Sequence, residues 1–295
     1  MPEHLLLYSV LLPAGIALVT VLVGRRPWRS GTVRDGVAVA ALAVGLGFAA
    51  SLLLDPAVGF PRDRHGLRLP ENPWELLPFC GLLFLGMRVG LRQEEGRLPF
   101  GSWMIVGVVC IALAWLHARE IIDMDTWDRK AVAPIAVVFG MLWAGHTSML
   151  DSLCSRRGGP SLSLGLVLVA VATWGCILLA EVPPEPNAVR LAEAALALAA
   201  TLAVLTVVGY ARPQRAAVRG LAFPFSGALV AILLQGFLAY DLPWLCVLLL
   251  GGAPAVFYID IGRRRLPVLS VLRASLVLVP AGAALVWAWY QYRAG

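Results

Sequence analysis

The densest group of side chains able to do chemistry in this sequence is His117, Arg119, Glu120, Asp123, Asp125 and Asp128. Carboxylates this close together can hold a divalent cation or supply an acid and a base. Arg129 and Lys130 follow directly, and a mixed-charge run that neutralises itself is the ordinary composition of a solvated loop. The expectation is therefore a surface loop in which Asp123, Asp125 and Asp128 are the candidate acidic cluster. Other reactive patterns are missing. The chain has no HExxH, no GxSxG, no phosphate-binding glycine loop and no nucleic-acid motif, and Cys80, Cys110, Cys154, Cys176 and Cys246 stand singly without a CxxC pair. No cofactor, metal or nucleic-acid partner is implied.

Two other polar residues stand out because their neighbours are apolar: His146, in Ala144-Gly145-His146-Thr147, and Gln235. Ionisable groups inside hydrocarbon cost about 2.5 to 3.5 kcal/mol on insertion scales, so their positions are the first guide to function in a lipid-embedded chain. His146 could titrate near neutral pH or ligate a metal, and Gln235 could line a polar path; a hydrogen bond between helices is the simpler role for each. No Asp or Glu falls near the middle of an apolar run, which argues against a proton pump built on a buried carboxylate. Arg88 and Arg273 lie near run ends and are expected to anchor at the headgroups.

The elements that must position these residues follow from composition. Of 295 residues, 59% are hydrophobic and 14% charged, more apolar surface than one soluble core can bury, so lipid must be part of the solvent. About 20 apolar residues span the hydrocarbon core as helix. Ten such runs can be marked: Leu5–Val23, Gly36–Leu54, Trp74–Leu91, Trp103–Ala118, Ala131–Leu150, Ser161–Ala180, Leu191–Ala211, Leu221–Tyr240, Trp244–Ile261 and Leu266–Tyr290. The fold class is thus all-α, a polytopic bundle of about ten transmembrane helices forming one membrane domain over residues 1–295.

The net charge of +6 is a topology signal, because the arginines sit in short loops. The odd-numbered loops hold fourteen arginines, from Arg25, Arg26, Arg29 and Arg34 through to Arg263, Arg264 and Arg265, against eight basic residues on the other side. Cytoplasmic loops collect Arg and Lys, so both termini are expected outside. One lysine among 24 basic residues reflects GC-rich coding, and a bacterial inner membrane is the expected location. Asp123-Met124-Asp125 resembles the loop aspartates of membrane glycosyltransferases that use lipid-linked sugars. That class would carry the motif in its first outer loop, where this chain has Asp63 and His65.

Finer features bear on packing. Asp241-Leu242-Pro243 is the tightest connection and predicts an antiparallel hairpin, and Ala41, Gly45 and Ala49 form a small-residue stripe for close helix approach. Leu77-Pro78-Phe79-Cys80-Gly81 and Phe223-Pro224-Phe225-Ser226-Gly227 match in order and would occupy equivalent places in two inverted five-helix halves, 1–155 and 156–295. Three function classes stay open: a small-molecule or ion permease, a non-enzymatic component that binds a membrane-protein partner or another copy of itself, and a lipid-facing enzyme using the outer aspartates.

Overall fold

The computed structural model describes residues 6–23, 33–55, 62–63, 66–67, 73–91, 99–122, 129–157, 160–180, 186–211, 220–259, 272 and 274–294. The architecture is all-α, apart from a two-residue antiparallel pairing of Arg62–Asp63 with Gly66–Leu67. We label the helices in chain order: α1 (Leu6–Val23, whose first turns, Leu6–Leu11, are π-helical), α2 (Val33–Leu54), α3 (Leu77–Gly90), α4 (Phe100–Ile122) and α5 (Val132–Arg157). Then come α6 (Pro160–Ala180), α7 (Pro186–Ala211), α8 (Ala222–Ala239), α9 (Trp244–Gly252) and α10 (Leu278–Ala294).

Among the described residues, seven segments are helices long and apolar enough to cross a membrane: α1, α4, α5, α6, α7, α8 and Ala274–Arg293 around α10. The apolar parts of α2, α3 and α9 are shorter, at Val39–Leu54, Leu77–Gly90 and Trp244–Tyr258. In α3, the 14 residues rise only about 21 Å at 1.5 Å per residue, less than a hydrocarbon core of about 30 Å. The α-helix of α9 stops at Gly252 because Pro254 has no N–H to continue the ladder, and the chain tightens into a 3₁₀ turn over Ala253–Tyr258. The exterior is strongly apolar, with Val19, Phe100, Met104, Val108, Met141 and Val286 all exposed. A belt of that kind needs lipid around it, and the chain is a membrane protein. Most arginines of the arginine-rich loops, though not Arg34, Arg156 and Arg157, lie outside the described residues, as do Asp123, Asp125 and Asp128.

The core is organised around α8. Every residue from Ala222 to Leu238 except Phe237 is buried, and the helix touches α2, α3, α4, α5, α6, α7 and α9. Its sequence explains this, because a helix that is apolar on all faces finds packing partners in every direction, and its Ala and Gly residues admit neighbours closely. Around it, α1 packs on α2, α4 on α5, α6 on α7 and α9 on α10 as neighbours in sequence, while α10 returns to α6 and α1 crosses to α7.

The small-residue stripe on α2 works as its spacing suggests: Ala41 and Ala49 are buried, and a Cβ added at Gly45 would lie 2.9 Å from Leu85 Cβ of α3. A close approach of backbone joins α4 and α5, where a Cβ at Gly140 would lie 2.5 Å from the Ile111 Cα. The hairpin of α8 and α9 is also present. Asp241 takes a left-handed φ of 48°, and the N–H of Leu242 donates to the carbonyl of Gly236 at 3.0 Å, closing the end of α8.

The matched Pro-Phe segments begin α3 and α8 and bury Cys80 and Ser226 fully, yet their surroundings differ. Phe79 is partly exposed whereas Phe225 is buried. A Cβ at Gly81 would meet Phe48 of the preceding helix α2, and one at Gly227 would meet Phe84 of α3 rather than a side chain of α7.

Candidate functional site

Three helices from separate parts of the chain, α3, α5 and α8, meet along an aromatic column. Phe84 stacks on Trp143 with ring centres 5.4 Å apart and planes 7° from parallel. Phe223 lies 6.5 Å from Phe84 and 6.0 Å from Trp103 of α4, and the His117 ring stands edge-on to Trp143 at 6.3 Å. Helical spacing then dictates what comes next. Residues four apart share a face, so Phe84 places Arg88 in the same interface, and Trp143 does the same for Thr147 and Asp151. Phe223 and Ser226, three apart, present one face of α8.

The result is a buried polar junction beside the aromatic column. Arg88 Nη1 lies 3.9 Å from Asp151 Oδ1, with both side chains more than nine-tenths buried, and the guanidinium carbon sits 5.7 Å above the Phe223 ring centre. Burial corrects the expectation that Arg88 is an interfacial anchor. The guanidinium turns inward, to the Asp151 carboxylate of α5 and the Phe223 ring of α8. Asp151 is a buried carboxylate within α5, about one turn beyond His146.

A second set of bonds runs through the same junction. Thr147 Oγ1 lies 2.9 Å from the Trp143 carbonyl and 2.7 Å from Ser226 Oγ, which in turn lies 2.8 Å from His146 Nδ1. Each hydroxyl carries one hydrogen, so the chain can be satisfied in only one direction. Thr147 donates to the Trp143 carbonyl, Ser226 donates to Thr147, and His146 Nδ1–H donates to Ser226. In neutral His146 this leaves Nε2 as a bare acceptor, and that atom is buried without a hydrogen-bond partner among the described residues.

His146 therefore does join two helices, through a partner 80 residues away in sequence. Gln235 is fully buried in α8 in the region where Leu234 and Leu238 pack against Ala114, Ala118 and Ala136, and it lines neither the cleft at His146 between α5, α8 and α9 nor the one at Val10 and Val204 between α1 and α7. His117 is also buried, donating from Nδ1 to the Leu113 carbonyl at 2.9 Å. No group of three or more His, Cys, Asp or Glu side chains able to hold a metal occurs among the described residues. The junction residues missed in the sequence are Arg88, Asp151, Thr147 and Ser226. The one local signal was the four-residue spacing of Trp143, Thr147 and Asp151, which puts them on one face of α5.

Chemically, the junction can hold a charge pair away from water, break it, and pass a hydrogen-bond polarity between α5 and α8. Its one hydroxyl beside an imidazole, Ser226 at His146, receives a hydrogen from Nδ1 in this relay instead of giving one up, so the pair is not set as a nucleophile and its base. Compared with known proteins, the chain matches no family model, no curated protein and no solved structure.

Proposed function

We propose that this chain is a permease for a small molecule or ion, with ten membrane crossings in a bacterial inner membrane, both termini outside, and access through its centre controlled by the α3–α5–α8 junction. The buried Arg88–Asp151 pair carries this reading. Two charges withdrawn from water are a poor way to fasten helices, since apolar residues of similar volume often stabilise as well or better. Ionisable residues inside a membrane bundle more commonly mark a pathway or a gate. A pair drawn from α3 and α5, beside a hydrogen-bond relay between α5 and α8, is suited to breaking and re-forming as those helices move.

The arginine asymmetry of fourteen to eight supports the orientation. An inverted relation between residues 1–155 and 156–295 is part of the proposal, supported by the matched segments that each bury a small polar or thiol side chain followed by a glycine packed against a phenyl ring. A second reading, a static component that binds a membrane-protein partner or another copy of itself, is favoured by the near-complete burial of α8.

One experiment separates the two without knowing the substrate. A permease must expose its junction to water at some point in its cycle. In a background with the native cysteines replaced, Ser226→Cys is treated with a membrane-impermeant maleimide in cells and in inverted vesicles, with Val108→Cys as a lipid-facing control. The permease reading expects modification of the position-226 thiol from at least one side. No modification from either side, with the protein folded and inserted, transfers the case to the static component.

A further inference from the structure

Cys176 of α6 and Cys246 of α9 are far apart in sequence and adjacent in the fold. Both are fully buried, and their thiols share a hydrogen bond. Cys246 Sγ lies 3.3 Å from the Ala284 carbonyl of α10, to which its hydrogen goes, so Cys176 is the donor to Cys246 Sγ. The neighbouring residues hold the three helices together at this level. A Cβ added at Gly175 would lie 2.8 Å from Leu285 Cδ2 of α10, and one at Gly236, beside the α8–α9 turn, would come within 3.8 Å of Ile177 Cγ1. The residues flanking Cys176 are therefore packed against α10 on one side and the α8–α9 hairpin on the other. The pair also lies close to two helix ends. At 1.5 Å per residue, Cys176 is about 6 Å from the end of α6 at Ala180, and Cys246 about 3 Å from the start of α9 at Trp244.

We propose that Cys176 and Cys246 are joined in the cell by a disulfide that fastens α6 to α9 beneath the outer face of the membrane. The outer placement rests on the orientation proposed above, with both termini outside, which puts the end of α6 and the start of α9 on that side. The outer compartment of a bacterium is kept oxidising, whereas cytoplasmic thiols stay reduced. Two sulfurs already in hydrogen-bond contact need only a short approach to reach a bonded separation of about 2.05 Å. The oxidant is a disulfide of that compartment. One thiol loses its proton and, as thiolate, attacks the oxidant to give a mixed disulfide, and the second thiolate then displaces the oxidant's remaining sulfur. The chain gives up two electrons and two protons, and the oxidant leaves reduced to thiols. Order of synthesis provides access. Cys246 is covered by α10, the last helix, so exchange takes place before α10 packs on α6 and α9, and the product is afterwards shielded from reductants.

The test uses the full chain expressed in a bacterium, with thiols quenched by acid at lysis, the protein denatured, and free cysteines alkylated before peptide mass analysis. Without reductant, Cys154 near the other end of the bundle should be alkylated, while the peptides holding Cys176 and Cys246 should appear linked and two hydrogens lighter than their sum. Reductant before alkylation should separate them. In Cys176→Ser, Cys246 should be alkylated without reductant, which identifies Cys176 as its partner. Alkylation of both cysteines in most of the unreduced, unaltered protein overturns the proposal, as does linkage of either one to a different cysteine. An epitope inserted between Ala180 and Pro186 of the full chain, read from outside in spheroplasts, separates the two causes of failure. Free thiols with the epitope outside refute the pairing; free thiols with the epitope inside refute the orientation beneath it.

Discussion

Arg88→Met and Asp151→Leu, made singly and together, test whether the junction is built on a true buried pair. At 3.9 Å and an effective dielectric near 20, the attraction between the two charges is roughly 4 kcal/mol. Removing one partner leaves the other charge enclosed, so each single substitution is expected to cost about 3–5 kcal/mol. The double substitution removes both charges and supplies apolar volume, so it should fall far short of the summed singles and lie within about 1–2 kcal/mol of the unaltered protein. The measurement is the unfolding free energy of purified protein in mixed micelles, by denaturant titration of all four proteins. The reasoning fails if each single costs under about 1 kcal/mol and the two add, the behaviour of exposed or interfacial charges. That result would restore Arg88 to the headgroup region.

Other consequences can be checked with simpler readouts. Gly140→Ala should destabilise by about 1–3 kcal/mol in the same titration, because the added methyl meets Ile111 backbone that cannot swing aside; Gly107→Ala, facing open space, should be neutral or slightly stabilising. Phe84→Ala should cost about 3–5 kcal/mol by emptying the centre of the aromatic column, and Gly227→Ala should be harmful beside Phe84 and only partly relieved in the Phe84→Ala background, where the ring is gone but the Cβ 2.8 Å from the added methyl remains, a partial non-additivity that thermal melts can detect. Reporters fused after Tyr210 and after Gly295 are expected on opposite sides of the membrane, with the fusion after Gly295 outside; the same side for both would dismantle the assigned orientation.

The apolar runs translated into helices because length and hydropathy are local properties, and the turn at Asp241 and the stripe through Gly45 were legible for the same reason. Where a proline ended the α-helix, as in α9, or the first residues of a run formed a 3₁₀ turn, as Pro73–Leu76 do before α3, hydropathy alone overestimated the α-helical length. The junction was harder to read. An arginine near a helix end can reach the headgroups or turn inward, and the choice between them depends on which helices offer it a partner. For Arg88 these are α5 and α8, far away in sequence. Ser226 drew notice only as a small residue in a matched segment, since nothing local reveals that His146 and Thr147 will both bond to it. The cleft at His146 depends on three helices and on where side chains are absent, a property that a linear pattern does not encode.

The central position of α8 also governs the order in which the molecule can be made. Six of the helices it touches precede it in the chain, and it ends at Ala239 of 295 residues. During synthesis, α2 through α7 must therefore reside in the bilayer with the surfaces they will give to α8 still turned toward lipid or toward one another. Membrane helices can persist in that state because lipid satisfies their apolar faces, but Arg88 and Asp151 gain little from it. Closure around the eighth helix is then a late, collective event, and a ribosome stalled before residue 222 would leave behind a set of inserted helices lacking the element that fastens them together.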